Sequence, residues 1–239
     1  MKKEKIFIYG RHAVYEALSE KPETITDIFL DPNIKDEKLL SLLTANKIKP
    51  KNLTTKDQSL NHQGIIAKIK IDQLTIDYSL FIKNLKPDHK TALVVLNEIQ
   101  DPHNVGAIIR SAAAFGLAGV LLPVHNQAPI TSTVIKVSAG LAFKIPLVII
   151  GNTNQTLTDL KKRGFWIYGL DAEGDTSISA LKFAEPTVFV LGNEGAGLRL
   201  KTASACDQII SIPMAPNCES LNVSSSAAVT FYAWSQQAI

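Results

Sequence analysis

Apolar residues recur along this chain in two distinct rhythms. In residues 1–71, short strand-like runs are interleaved with segments of helical spacing. KIFIYG reads as a strand, RHAVYEALSE places Ala13, Val14, Ala17 and Leu18 on one helical face, and ITDIFL reads as a second strand. DEKLLSLLTAN follows as an amphipathic helix and HQGIIAKIKI as a β-branched strand, so the order predicts a βαβα unit closed by one more strand. Residues 72–90 show weaker periodicity, with Pro87 near their end, and are expected to form a linker. From Thr91 the rhythm changes. TALVVL is the uninterrupted apolar run of a parallel strand covered on both faces. DPHNVGAIIRSAAAFG predicts a helix with Val105, Ile108, Ile109 and Ala112 on one face and Gly116 as its stop. GVLLP, FWIYGL, TVFVLG and QIISIP are further strands, helices are expected over about 131–139, 155–163 and 197–203, and a last helix carries Val223, Ala227, Phe231 and Trp234 on one stripe. The pattern is that of an α/β protein with a small domain over 1–71 and a larger one over 91–239.

Composition narrows the class. The 239 residues are 46% hydrophobic, enough to fill a sizeable core. No stretch approaches the roughly 18 uninterrupted apolar residues of a membrane span, and the N-terminus lacks the apolar region of a secretory leader, so a cytoplasmic protein is expected. Cys206 and Cys218 form no C-x-x-C pair and no Cys/His ligand spacing; ordinary reduced thiols and no metal site are expected. Net charge is +3, unevenly spread: residues 1–90 hold 16 basic and 12 acidic side chains, residues 91–239 hold 9 and 10. A solvated lysine face is the commoner origin of such a split, and an anionic partner of the first domain is the functional one.

Each conspicuous polar cluster of the second domain follows a buried-looking strand. Ligands of open α/β sheets sit beyond the carboxyl ends of strands. NEIQDPHNVGAIIR follows LVVL, GNEGAGL follows TVFVL, and PMAPNCESLNVSSS follows QIIS, so three loops could converge on one site. The loop Gly192–Gly197 has the order G-x-x-G-x-G, the wrong one for a dinucleotide fingerprint, and no later strand offers the acidic end such a site needs. This weakens a nicotinamide-dependent oxidoreductase reading. Glu194 inside that loop would repel phosphate, but could orient an amide, a hydroxyl or a guanidinium. Arg110 is a possible partner; Asp101 and Asn104 could serve only to cap the helix opened by Pro102, and His103 is more simply structural than a base.

Taken together, NEIQDPHNVGAIIRSAAAFG, FVLGNEGAGL and IPMAPNCESLNVSSSAAV, in this order and at these separations, resemble motifs 1, 2 and 3 of the SpoU/TrmH RNA 2′-O-methyltransferases. IYGRHAVYEAL and HQGIIA resemble the small L30e/L7Ae-like RNA-binding domain of the RlmB-type members, which modify a guanosine of 23S rRNA. The resemblance implies a trefoil-knotted parallel-sheet methyltransferase domain of the SPOUT class over 91–239, preceded by that L30e-like domain. It also implies S-adenosyl-L-methionine as cofactor, ribosomal RNA or tRNA as partner, and a homodimer formed through the knotted domain. Carried over motif by motif, the catalytic set falls on Asn104, Arg110, Glu194, Ser220 and Asn222, and the cofactor's adenosine is expected around Gly192, Ile212 and Leu221. One departure is visible: Pro216 and Asn217-Cys218 stand where the family usually has glycine, a small residue and valine, and proline removes an N–H and fixes φ. A locally reshaped loop is expected there; a degenerate, inactive RNA-binding protein is the competing reading, with a tRNA-directed member of the same family as another.

Overall fold

A computed structural model describes residues 5–54, 62–218 and 220–238. The small domain contains strands β1 (Lys5–Tyr9), β2 (Ile25–Leu30), β3 (Lys51–Asn52) and β4 (Ile65–Lys70), with helices α1 (Arg11–Glu20) and α2 (Glu37–Ala45). Their order across the sheet is β1-β4-β2-β3. The closing strand β4 inserts between β1 and β2 and runs antiparallel to both, while β2 and β3 pair in parallel. Successive side chains of a strand point to opposite faces. On one face Ile8, Ile28, Ala67 and Ile69 are buried, in a core shared with Ala13, Val14, Ala17 and Leu18 of α1 and Leu39 and Leu43 of α2.

The second domain is an eight-stranded sheet in which every neighbouring pair is parallel. Its strands are β5 (Thr75–Asp77), β6 (Ala92–Leu96), β7 (Gly119–Pro123), β8 (Leu147–Ile150), β9 (Trp166–Leu170), β10 (Thr176–Ser177), β11 (Thr187–Leu191) and β12 (Gln208–Ser211). The helices are α3 (Tyr78–Asn84), α4 (Pro102–Ala114), α5 (Ser132–Val137), α6 (Thr153–Lys162), α7 (Leu200–Ala203) and α8 (Val223–Ala238). The order β10-β12-β9-β11-β6-β7-β8-β5 places β6 and β11 side by side at the centre. Both are buried at every position, as their unbroken apolar runs require.

The expected linker over 72–90 requires correction. β5 pairs with β8 at the edge of the large sheet, and Phe81 and Ile82 of α3 enter its core. Tyr78 Oη donates to Asp159 of α6 at 2.7 Å, fixing α3 from the other side. The boundary therefore falls near the end of β4, and only the residues after α3 lack regular structure before β6.

Local chemistry sets the helix ends near the site. The Asp101 carboxylate accepts from the His103 N–H at 2.8 Å and Pro102 occupies the first turn, so α4 starts where the capping signal places it. α5 ends earlier than expected because Ala139 and Gly140 both take positive φ. Gly140 also lies against the small domain, where an added Cβ would meet Glu16 Cγ at 2.9 Å and Ala13 Cα at 3.1 Å. Beside it Lys144 pairs with Glu16 at 3.0 Å.

Candidate active site

All strands of the large sheet point the same way, so the loops after β6, β9, β11 and β12 emerge along one edge. Strand order also reverses there, since the chain goes outward from β6 to β7 and β8 and then returns to β9 on the other side of β11. Such a switch point is where open α/β sheets hold ligands. A cleft of about 580 Å³ lies at this edge, lined by the segments Leu170–Glu173, Leu191–Gly197, Ile210–Met214 and Ser220–Ser226.

The glycine-rich loop is a compact hairpin. Asn193 and Gly197 exchange two backbone hydrogen bonds of 3.0 Å, and the Asn193 side-chain oxygen accepts from the N–H groups of Gly195 and Ala196. Gly192 lies directly beneath Gly197: a Cβ there would sit 2.4 Å from the Gly197 carbonyl carbon. Gly197 itself needs φ +63°. Asn193 Nδ2 then donates to the Glu98 carbonyl at 2.9 Å, and Arg199 pairs with the Glu98 carboxylate at 2.8 Å. Glu98 is held at φ +67°, a strained value for a non-glycine residue that these two contacts maintain.

A chain of side-chain hydrogen bonds joins the three loops singled out in the sequence. Asn104 Nδ2 donates to Glu194 Oε1 at 3.1 Å, and Asn222 Nδ2 donates to Asn104 Oδ1, also at 3.1 Å. The Asn222 oxygen accepts from Ser224 N–H at 2.8 Å and Ser224 Oγ at 2.6 Å, capping α8. Asn104 is buried, and both ends of its amide are engaged within the protein. Asn104 and Asn222 thus brace the loops. Glu194 is exposed at the rim, and Ser220, with no hydrogen bond from its hydroxyl to a described residue, opens onto the cleft.

Of the expected residues, Gly192, Glu194, Ile212, Ser220, Leu221 and Asn222 all line the cleft, and Asn104 is tied to its rim. Arg110 is not among the lining residues. It lies exposed on α4 and makes no ion pair or hydrogen bond to another described side chain. Sequence reasoning missed Asp171 and Glu173, which follow β9; the strand-end rule applied to FWIYGL would have found them. Pro216 proves compatible with its place. Cys218 N–H donates to the Ala215 carbonyl at 2.9 Å, closing a turn in which Pro216 takes the second position, where a fixed φ is favoured and no N–H is used. Burial pushes the Cys206 thiol up to about 12, so it stays neutral, and Cys218 is exposed beyond the turn. Among the described residues no group of His, Cys, Asp and Glu is placed to hold a metal ion, and no helix is long and apolar enough to cross a membrane.

The model of the SpoU rRNA methylase family matches residues 91–232, which contain all three loops and the whole of this network. The chain belongs to the SpoU rRNA methylase family. A second model, described as RNA 2′-O ribose methyltransferase substrate binding, matches residues 7–75. The 23S rRNA (guanosine-2′-O-)-methyltransferase RlmB of Vibrio parahaemolyticus is 34% identical over 235 residues, covering 95% of this chain and 94% of the relative. Its counterpart from Vibrio vulnificus is 35% identical over 238 residues, covering 95% and 94%. In fold, the chain is similar to the SpoU methyltransferase AviRb of Streptomyces viridochromogenes, whose crystal structure is a complex with AdoMet. The TM-score is 0.81 at 22% identity, covering 98% of this chain and 90% of that one.

The bracing network of this SpoU member makes a stability prediction. Asn104→Asp would set a carboxylate against Glu194 in place of a donated hydrogen bond. Because Glu194 is solvent-exposed, the expected cost is about 1–2 kcal/mol, or a Tm lower by roughly 2–8 °C. Calorimetry should show the loss shrinking on acidification, and Glu194→Gln in the same chain should restore most of it. Failure of the second change to restore stability would mean the contact does not brace the loops.

Proposed function

We propose that the protein is an S-adenosylmethionine-dependent methyltransferase that modifies a ribose 2′-hydroxyl of structured RNA, at a guanosine of 23S rRNA. The observation that carries this reading is the Glu194–Asn104–Asn222 chain, which gathers three family loops at the rim of one cleft. The Vibrio relatives named for that reaction match both domains.

The residues present fit the cofactor. The cleft lies within the range of about 300–1,000 Å³ usual for small-molecule sites. At Gly192 a Cβ would collide with the Gly197 and Leu198 backbone, so the hairpin that lines the cleft closes only because this position is glycine. Ile210, Ile212 and Leu221 supply apolar walls for an adenosine, while Asp171, Glu173 and Glu194 suit a positively charged ligand. Bound S-adenosylmethionine supplies a methyl group carried on a cationic sulfur. The remaining work is positioning a hydroxyl in line with that methyl and handling its proton. Asn104 and Asn222 hold the loops, Ser220 offers a hydroxyl toward the ribose, and Glu194 forms the rim between them. Arg110 would stabilise negative charge developing on the 2′-oxygen or clamp a flanking phosphate. A guanidinium offers N–H donors and no acceptor site, so the role is electrostatic.

The same reading implies a homodimer built through α4 and α8 and action in the cytoplasm, where ribosomal RNA is found. Support for the dimer comes from α8, where Tyr232 is 54% exposed and Val229 41% exposed, with Tyr232 stacked edge-on against Phe115. The test of the function is chemical. Replacing the target nucleotide alone by its 2′-deoxy analogue should abolish methyl acceptance while RNA binding falls only modestly. Transfer persisting on the deoxy substrate would place the acceptor on the base and overturn the assignment.

A further inference from the structure

The small domain has a second sheet face that its helices leave open. Paired residues on neighbouring strands point the same way. Phe7 lies opposite Lys68, Lys5 opposite Lys70, and across β4 Asp27 lies opposite Lys68 and Phe29 opposite Ile66. On the far strand Lys51 lies opposite Phe29. The alternate positions Ile8, Ala67, Ile69 and Ile28 form the buried core, so the phenylalanines and lysines share the outward face. Phe7 is 41% exposed there. Its ring centroid is 6.5 Å from that of Phe29, Lys68 Nζ lies 5.4 Å from the Phe7 ring, and Lys51 Nζ lies 5.9 Å from the Phe29 ring. Among the described strand residues of this face, four lysines face one acid, Asp27, which pairs with Lys51 at 2.5 Å.

We infer that this face, centred on Phe7 and Phe29 and edged by Lys5, Lys51, Lys68 and Lys70, binds a single-stranded RNA segment. Two adjacent aromatic rings are stacking platforms for unpaired bases, and lysines beside them neutralise the phosphates that follow. A duplex hides its base faces, and an acidic protein surface would leave the two rings without a matching partner. Lys68 and Lys51 now lie over the two rings, so a base that stacks there takes the place of an ammonium group and frees it for the adjoining phosphate. The inference rests on the RNA-modifying reading only for the identity of the polyanion; the substrate-binding description that matches residues 7–75 specifies no surface.

The test uses the full-length protein and a fluorescein-labelled unpaired RNA 12-mer followed by anisotropy. Phe7→Leu with Phe29→Leu keeps the apolar bulk and removes the rings; binding should weaken roughly five- to a hundredfold. Lys51→Gln with Lys68→Gln should lower the slope of log affinity against log salt by about 1.4. Should the leucine pair lower the melting temperature, Phe7→Trp gives an independent signal: bases stacking on it must quench its fluorescence. Leucine variants that bind RNA within twofold of the unaltered protein overturn the inference, as does a Phe7→Trp protein with no quenching. Poly-glutamate competing as well as RNA also overturns it, and identifies an acidic protein as the occupant. Methyl transfer by the unaltered protein to 23S rRNA is measured in parallel, so that loss of the enzymatic reading and loss of this surface are separate results.

Discussion

Replacing Arg110 by alanine is expected to lower methyl transfer at saturating RNA and cofactor by a hundredfold or more, while the Kd for S-adenosylmethionine changes by less than about threefold. The first half follows from the proposed chemistry, in which the guanidinium meets the 2′-oxygen or its flanking phosphate once RNA is bound, because losing one donor to a developing oxyanion typically costs about 10²–10³ in rate. The second half follows from position: Arg110 is exposed on α4, outside the lining of the cleft, and no described side chain consumes its charge. Arg110→Lys should recover part of the rate, since it restores a point charge without the planar fork. Single-turnover assays with labelled methyl donor and titration calorimetry give the two numbers separately. A large drop in cofactor affinity would show that Arg110 supports the fold of the cleft instead.

Gly192→Ala should act in the opposite way, removing cofactor binding first. The new methyl group would meet Gly197 C at 2.4 Å, Gly197 O at 2.5 Å and Leu198 N at 2.6 Å, all backbone atoms of the facing hairpin arm. Nothing flexible can yield, so the two Asn193–Gly197 hydrogen bonds must open and carry Glu194 away from Asn104. We expect a Kd for S-adenosylmethionine at least thirtyfold higher and a stability loss of about 2–3 kcal/mol, the upper part of the overpacking range. Gly195→Ala is the matched control, because its nearest neighbour would be Asn193 Oδ1 at an ordinary 3.7 Å. Calorimetric affinity within twofold of the parent is expected for that variant. Equal behaviour of the two alanines would mean the close approach at Gly192 has no bearing on the cleft.

What could be read from the sequence depended on how completely each segment is buried. β6 and β11 are covered on both faces and print unbroken apolar runs, and the capping signal Asp101-Pro102 places the start of α4 to the residue. Edge elements print little. β5 is three residues long and α3 buries the adjacent pair Phe81 and Ile82, which match neither period, so 72–90 resembled a linker. The site divided in the same manner. Three loops were found because polar runs follow strands; the fourth, DAEGD after β9, obeys the same rule but belongs to none of the three motifs and was passed over. The roles within the loops lay beyond reach, because they depend on partners about 90 and 118 residues away in sequence, as Asn104 has in Glu194 and Asn222. Six residues of helix also turn Arg110 about 240° from Asn104, which separates two residues that a motif writes together.

Asn222 has a consequence for the order in which the protein becomes competent. Its amide caps α8 and closes the side-chain chain to Asn104, yet it is translated after every described strand of both sheets. Both sheets can therefore be laid down during synthesis while the rim loops still lack their last strut, since domains form from the N-terminal side as the chain emerges. A fragment that stops short of Asn222 would therefore carry every described strand of both sheets and still leave the third loop unjoined, with Asn104 held by Glu194 alone.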